Sequence, residues 1–216
     1  MELDAGWFNE LLGEMGQAVA WRRAALCPCR DPYSGAAQQG CPHCAGLGWL
    51  WAEPVSAWTG LASMRVVKEW AAFGLWASGD VVLSVPSDSP LYSAGENDRV
   101  VMENSSEPFS IHLTREGDER VRFPMVQVDR VFWINPGSGE LVEGGVPTVG
   151  ADGVPTWSDP AAAPDPGIQY SITGRKRPEY FMFKELPQDR AHFAGAPLPR
   201  RMVLRRFDLF GSQSAT

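Results

Sequence analysis

Four cysteines, Cys27, Cys29, Cys41 and Cys44, fall within eighteen residues, and the chain has no others. This clustering constrains the fold more than any other feature, because two close pairs joined by a short loop can converge on one tetrahedral metal ion. The second pair, Cys41-Pro-His-Cys44, has the spacing of a zinc knuckle, and Gly46 and Gly48 follow at alternate positions. Glycine there lets the backbone turn tightly enough for its N–H groups to face the thiolate sulfurs. The first pair, Cys27-Pro-Cys29, is one residue tighter than a standard knuckle. Four thiolates leave no open coordination position, so the zinc expected here is structural. His43 is expected to point outward, as the middle residue of a knuckle does, although the spacing leaves it open as a replacement for one thiolate.

Three other readings compete with zinc. Buried small hydrophobes are one, but cysteines flanked by prolines and glycines do not resemble core. Disulfides are another, although a chain without a basic-then-apolar leader pattern is expected to fold in a reducing cytosol. The third is a redox pair, yet such motifs sit where a strand enters a helix, and glycines follow here.

The 216 residues suffice for one sizeable domain with appendages, and a hydrophobic content of 44% can supply a core. No apolar run approaches the roughly 20 residues that span a bilayer, so no membrane partner is expected. A net charge of −7 argues against a dedicated nucleic-acid binder, which shows a basic surplus.

Asp4 to Leu26 reads as one amphipathic helix capped by Asp4, which makes residues 1–26 an N-terminal helical segment. Trp7, Phe8, Leu11, Leu12, Met15, Ala18 and Val19 recur at three- and four-residue steps as an apolar stripe, to be buried on its own domain or on another subunit. Residues 27–51 form the four-cysteine zinc loop. Beyond it, residues 52–211 carry short strand signals separated by turns, including Met64–Val67, Phe73–Trp76, Val81–Val85, Arg99–Met102, Phe109–Leu113, Arg120–Phe123, Val126–Ile134, Ile168–Thr173, Glu179–Lys184 and Met202–Phe207. Ile168, Tyr170 and Ile172 alternate with polar neighbours, as one-sided antiparallel strands do. The expected class is mainly β: a barrel or sandwich with an N-terminal helix, a zinc-binding loop and a long extended arm. That arm is the glycine- and proline-rich stretch 135–167, with Trp157 near its tip. Residues 212–216 are expected to be a disordered tail.

Enzyme signatures are scarce, and no catalytic residue is assigned. The chain has no Gly-x-Ser-x-Gly elbow, phosphate-cradling loop or His-Glu-x-x-His. His43, His112 and His192 are isolated from one another, and Asp118-Glu119 sits at an apparent turn where solvated charge is expected.

Cys41 to Gly48 matches the Cys-x-x-Cys-x-Gly-x-Gly repeat of J-domain co-chaperones, but those carry four repeats and a His-Pro-Asp tripeptide, and this chain has one repeat and no tripeptide. A resemblance over more of the chain is to virion proteins of tailed bacteriophages. Its matching features are Cys27-Pro28-Cys29, Cys41 to Gly48, Gly79-Asp80 before a hydrophobic strand, and Leu198-Pro199-Arg200-Arg201 before Val203-Leu204-Arg205-Arg206. The resemblance implies a neck or head–tail connector of the head-closure or adaptor type, assembled in the host cytoplasm and located at the virion neck. Its partners would be its own copies in a ring, portal or adaptor and tail proteins, and packaged DNA passing through without specific binding. Trp7, Phe8, Leu11, Leu12, Met15 and Trp157 would then be subunit contacts. The alternatives are a zinc-dependent nucleic-acid or protein binding module in the host cell and a small hydrolase.

Overall fold

The computed structural model describes residues 5–62, 64–72, 74, 76–117, 119–150, 152–186, 192–193 and 195–210. Helix α1 is Ala5–Met15, and it is followed by strands β1 (Gln17–Arg22), β2 (Ala24–Leu26), β3 (Trp49–Trp51) and β4 (Val55–Leu61). Then come α2 (Met64–Ala72), β5 (Val81–Val85), β6 (Arg99–Met102), β7 (Glu107–Thr114), β8 (Met125–Ile134) and β9 (Leu141–Glu143). The chain continues through β10 (Thr148–Val149), β11 (Pro155–Thr156), β12 (Gln169–Lys176), β13 (Glu179–Glu185), β14 (His192–Phe193), β15 (Ala196–Pro197) and β16 (Arg200–Arg206).

The protein is mainly β, and it divides into two compact units, Met1–Asn104 with Glu179–Thr216, and Ser105–Pro178. The sequence reading placed a single body over 52–211, but β6 and β13 are antiparallel neighbours, with Val101 opposite Glu179. The second unit is therefore an insertion in what would otherwise be a hairpin.

The first unit is a closed six-stranded barrel in the order β1-β4-β5-β16-β13-β6. Closure leaves none of those strands with an unpaired edge. Val19, Trp21, Leu83, Val85, Val100, Met102, Met182, Met202 and Leu204 fill its interior. Val82 and Val203 belong to a separate buried cluster with Trp70 of α2. The apolar residues Val81, Val82, Leu83 and Val85 thus reflect burial on both faces of β5, interrupted only by Ser84.

Two segments fold differently from their sequence signals. The helix predicted to reach Leu26 ends at Met15, and Gln17–Arg22 pairs with both β4 and β6. Gly16 makes that corner: a side chain there would overlap the Leu12 carbonyl oxygen at 2.0 Å and approach that of Thr59 at 2.9 Å. The strand predicted at Met64–Val67 is instead the start of α2, where Val67 and Trp70, one turn apart, face the barrel. In the strand predicted at Phe73–Trp76, Gly74 and Trp76 are not in a strand and Leu75 lies outside the described residues. Phe73 lies outside the described residues.

Helix α1 docks on its own barrel. The Leu12 side chain lies against Gly60 of β4, and the Asn9 amide donates to Ser87 Oγ at 3.0 Å and accepts from the Ser87 N–H at 3.3 Å. Leu11 is half-buried, whereas Trp7 is 62% exposed. The side chains of Phe8 and Met15, the Asp4 cap and the predicted tail 212–216 lie outside the described residues.

The second unit is a four-stranded sheet in the order β7-β12-β8-β9, with Tyr170 and Ile172 buried as their alternation predicts. The stretch predicted as an arm is folded onto this unit. Leu141–Glu143 becomes the fourth strand, and Gly145 N–H donates to the Ala162 carbonyl at 2.8 Å. Trp157 packs edge-on against Tyr170 at 5.6 Å and donates its indole N–H to Gly145 O at 2.8 Å. Contacts within the unit therefore half-bury Trp157 without a neighbouring subunit. Arg120–Phe123 is not a strand, although Val121 is buried. Glu119, predicted to be solvated, is buried because Arg115, the Glu116 N–H and the Tyr170 hydroxyl all bond its carboxylate. Asp118 lies outside the described residues.

Three of the four arginines in 200–206 have acidic partners: Arg200 with Glu185, Arg206 with Asp208, and Arg205 with Asp80. The last pair is buried, with two bonds of 2.9 Å, and Asp80 also accepts from Trp70 Nε1 and the Ala77 N–H. Removing one partner strands a buried charge. Asp80→Ala is expected to lower unfolding free energy by about 3–5 kcal/mol, and Asp80→Ala with Arg205→Met to recover much of it. Urea unfolding followed by tryptophan fluorescence measures both, and a single-variant loss below about 1 kcal/mol would contradict the pair's role.

Candidate metal centre

The four sulfurs come together at the base of the loop between β2 and β3, whose ladder pairs Ala24 with Trp51 and Leu26 with Trp49. All four lie within 4.8 Å of one another. Cys27 Sγ is 3.8 Å from Cys41 Sγ, and Cys29 Sγ is 3.5 Å from Cys44 Sγ. A tetrahedron with metal–sulfur arms of about 2.3 Å has edges of about 3.8 Å, so the thiols already stand close to the positions of ligands. Each CysXCys or CysXXCys pair contributes two corners. The bonds that shape the turns are Arg30 N–H to Cys27 O at 3.1 Å, and Ala45 N–H to Cys41 O and Leu47 N–H to Cys44 O, both 2.9 Å.

Gly48 acts as its spacing predicts. Ala45, Gly46 and Gly48 have φ of 48°, 84° and 75°. At Gly48 this turns the N–H onto Cys44 Sγ at 3.3 Å, while its carbonyl accepts from the Cys27 N–H at 2.9 Å. One glycine thereby ties the two cysteine pairs together. A side chain there would meet Ala37 Cβ at 3.1 Å and Arg30 at 3.3 Å.

Cys27, Cys41 and Cys44 are buried and Cys29 is partly exposed. The backbone N–H groups of Cys44 and His43 pull the Cys41 thiol down to about 6 despite its burial. At Cys29 the Gln38 backbone N–H also favours the thiolate, but burial and the three neighbouring thiols outweigh it and push the value up to about 12. Each ionisation in such a crowd opposes the next. A divalent cation removes that opposition, and a coordinating thiol is deprotonated outright. The set therefore fits a soft divalent metal held by four thiolates. His43 is exposed and stands outside the group of converging donors.

Two anchors fix the loop's stem to the barrel. Asp98, buried at 3% exposure, accepts from Trp21 Nε1, the Gly95 N–H and the Ala24 N–H at 2.7–2.9 Å. Trp51 donates to Asn97 O at 3.1 Å and packs edge-on against Phe207 and Phe210. No spacing in the sequence signals Asp98, because two of its three donors, Trp21 and Ala24, are 77 and 74 residues away in the chain. Beside the loop lies a cleft of about 830 Å³, lined by Arg30, Leu47 and Trp49 on one side and Glu96, Phe181 and Phe210 on the other. His112 and His192 are exposed on β7 and β14, away from the cysteines in the chain and in different units.

Cys41→Ser or Cys44→Ser is expected to abolish stoichiometric metal binding and expose 27–51 to protease, with the barrel intact. Limited proteolysis and circular dichroism check this. Unchanged resistance of the loop in metal-loaded and serine-substituted protein alike would show that packing alone holds it.

No known protein-family model matches the chain, and no curated protein matches it, so the reading of the site rests on its residues and geometry.

Proposed function

We propose that the protein is a structural subunit of a tailed-bacteriophage virion, a neck or head–tail connector working in a ring, with one structural zinc ion in its loop. The observation that carries this reading is the four-thiol loop inserted between strands β1 and β4 of a closed barrel that follows an N-terminal helix, which keeps the order of helix, cysteine segment and β-rich remainder that the resemblance implies. Zinc is the metal best suited, because it is redox-inert and takes four thiolates tetrahedrally; iron is the other metal such a sulfur set accepts. Cys27, Cys29, Cys41 and Cys44 would hold it. The ion supplies cross-linking and no chemistry of its own, and the role proposed for the chain is not catalytic.

A closed barrel suits assembly with copies and with portal, adaptor or tail proteins, because its strands cannot add a foreign strand in the wrong place. Apolar side chains exposed at Trp7 on α1 and at Ile134 and Leu141, which pair across β8 and β9, are surface that neighbouring subunits would cover. A net charge of −7 suits a channel through which DNA passes without sticking. Among the described residues no helix is long and apolar enough to cross a membrane. The second reading, a zinc-dependent protein-binding module in the host cell, is favoured by the aromatic-lined cleft beside the loop.

Reconstruction of the virion separates the two. The connector reading predicts this chain in a ring around the head–tail axis; particles that lack it, or carry it elsewhere, would overturn that reading. Elemental analysis should find about one zinc per chain, and an equivalent of iron would replace zinc in the account.

A further inference from the structure

We propose that Arg30 is the counter-cation of the metal centre, setting how tightly the four thiolates hold their ion. This rests on the reading that the four cysteines bind a divalent metal. A divalent ion with four thiolates carries a net charge of −2, and burying that charge is costly unless a cation lies close. Arg30 is the only arginine or lysine between Cys27 and Trp51.

Its placement is fixed from three sides. The Arg30 backbone N–H is bonded to the Cys27 carbonyl, and Nε donates to Gly35 O at 2.8 Å. Its guanidinium lies over the Trp49 ring, 5.6 Å from the centroid. The Cδ–Nε end of the side chain covers Gly48, near enough to meet any side chain placed there at 3.3 Å. Gly48 is the residue whose N–H faces Cys44 Sγ. The cation is thus one residue's thickness from the sulfurs, held there by a hydrogen bond and an aromatic face. The neighbouring carboxylate, Asp31, is turned to its own loop, where it accepts from the N–H groups of Tyr33 and Ser34 and from Ser34 Oγ. Glu96 stands across the cleft that Arg30 also lines.

Groups that surround a metal site without ligating it change metal affinity by about 10–100-fold when they are removed. Arg30→Met keeps the apolar stem over Gly48 and Trp49 but deletes the charge, whereas Arg30→Lys keeps the charge and loses the fork. The full chain is loaded with Zn²⁺, and separately with Cd²⁺, and titrated with a chromogenic chelator. Alkylation of the loaded protein by iodoacetamide is followed in parallel. Arg30→Met should bind each metal about tenfold more weakly and alkylate faster, and Arg30→Lys should stay within about threefold of the unsubstituted chain.

Equal affinity for Arg30→Met and the unsubstituted chain overturns the proposal. So does an Arg30→Lys variant as weak as Arg30→Met, because the side chain would then act by shape and not by charge. If Arg30→Met does not fold by circular dichroism, Arg30→Lys alone decides: strong retention supports the proposal and loss overturns it. Failure of the unsubstituted chain to bind either metal would instead remove the four-thiolate reading beneath it.

Discussion

The loop from Cys27 to Trp51 is organised by four sulfurs and by little else. Its buried cluster consists of Cys27, Cys41 and Cys44, with Cys29 and Leu50 packed against them. Tyr33 is 98% exposed, and Leu26 and Leu47 are largely outside too. Apolar burial of that extent cannot offset the conformational entropy of ordering such a segment, at roughly 1–2 kcal/mol per residue for the backbone alone. A metal–thiolate cross-link can, since apparent binding free energies at structural zinc sites are on the order of 10 kcal/mol. In the proposed reading, a metal bound by the four thiolates would take the place of a core.

The stem joins the four-cysteine loop to the barrel. Asp98 bonds Ala24 at the entry to the loop and Trp21 inside the barrel, while Trp51 at its exit packs on Phe207 and Phe210. Arg99 lies over both Trp51 and Phe207, which extends the same contact. Arg30, Ser34 to Ala37, Gly46, Leu47 and Trp49 of this loop line the cleft, although none of the lining residues is a proposed ligand.

Much of this was legible in the sequence, and what was missed has physical causes. The convergence of the four cysteines, the role of Gly48 and the exposure of His43 follow from local spacing, because a knuckle is a local structure. The strands Arg99–Met102 and Glu179–Glu185 were found within a residue or so, since their alternation or apolar run survives in one dimension. The end of α1 was not, because Ala18 and Val19 continue a helical stripe and only the close approach of Thr59 at Gly16 forces the turn. The helix α2 was read as strand, its single turn of contact at Val67 and Trp70 being too short a pattern to outweigh β-branched residues. Glu119 was assigned to solvent because one of its partners, Tyr170, is distant in sequence, and the bond of Trp157 to Gly145 was hidden in an irregular stretch. Gly79-Asp80 and Arg205-Arg206, both features of the resemblance, have their common ground in the buried Asp80–Arg205 pair.

The central claim is that Cys27, Cys29, Cys41 and Cys44 hold one metal ion between them. X-ray absorption spectroscopy at the metal edge of the purified chain tests it most directly, because it counts the ligand atoms and measures their distance. The account predicts a first shell of about four sulfurs at about 2.3 Å, the distance for zinc bound by thiolates. A shell of nitrogen or oxygen at about 2.0–2.2 Å, or fewer than three sulfurs, would contradict it.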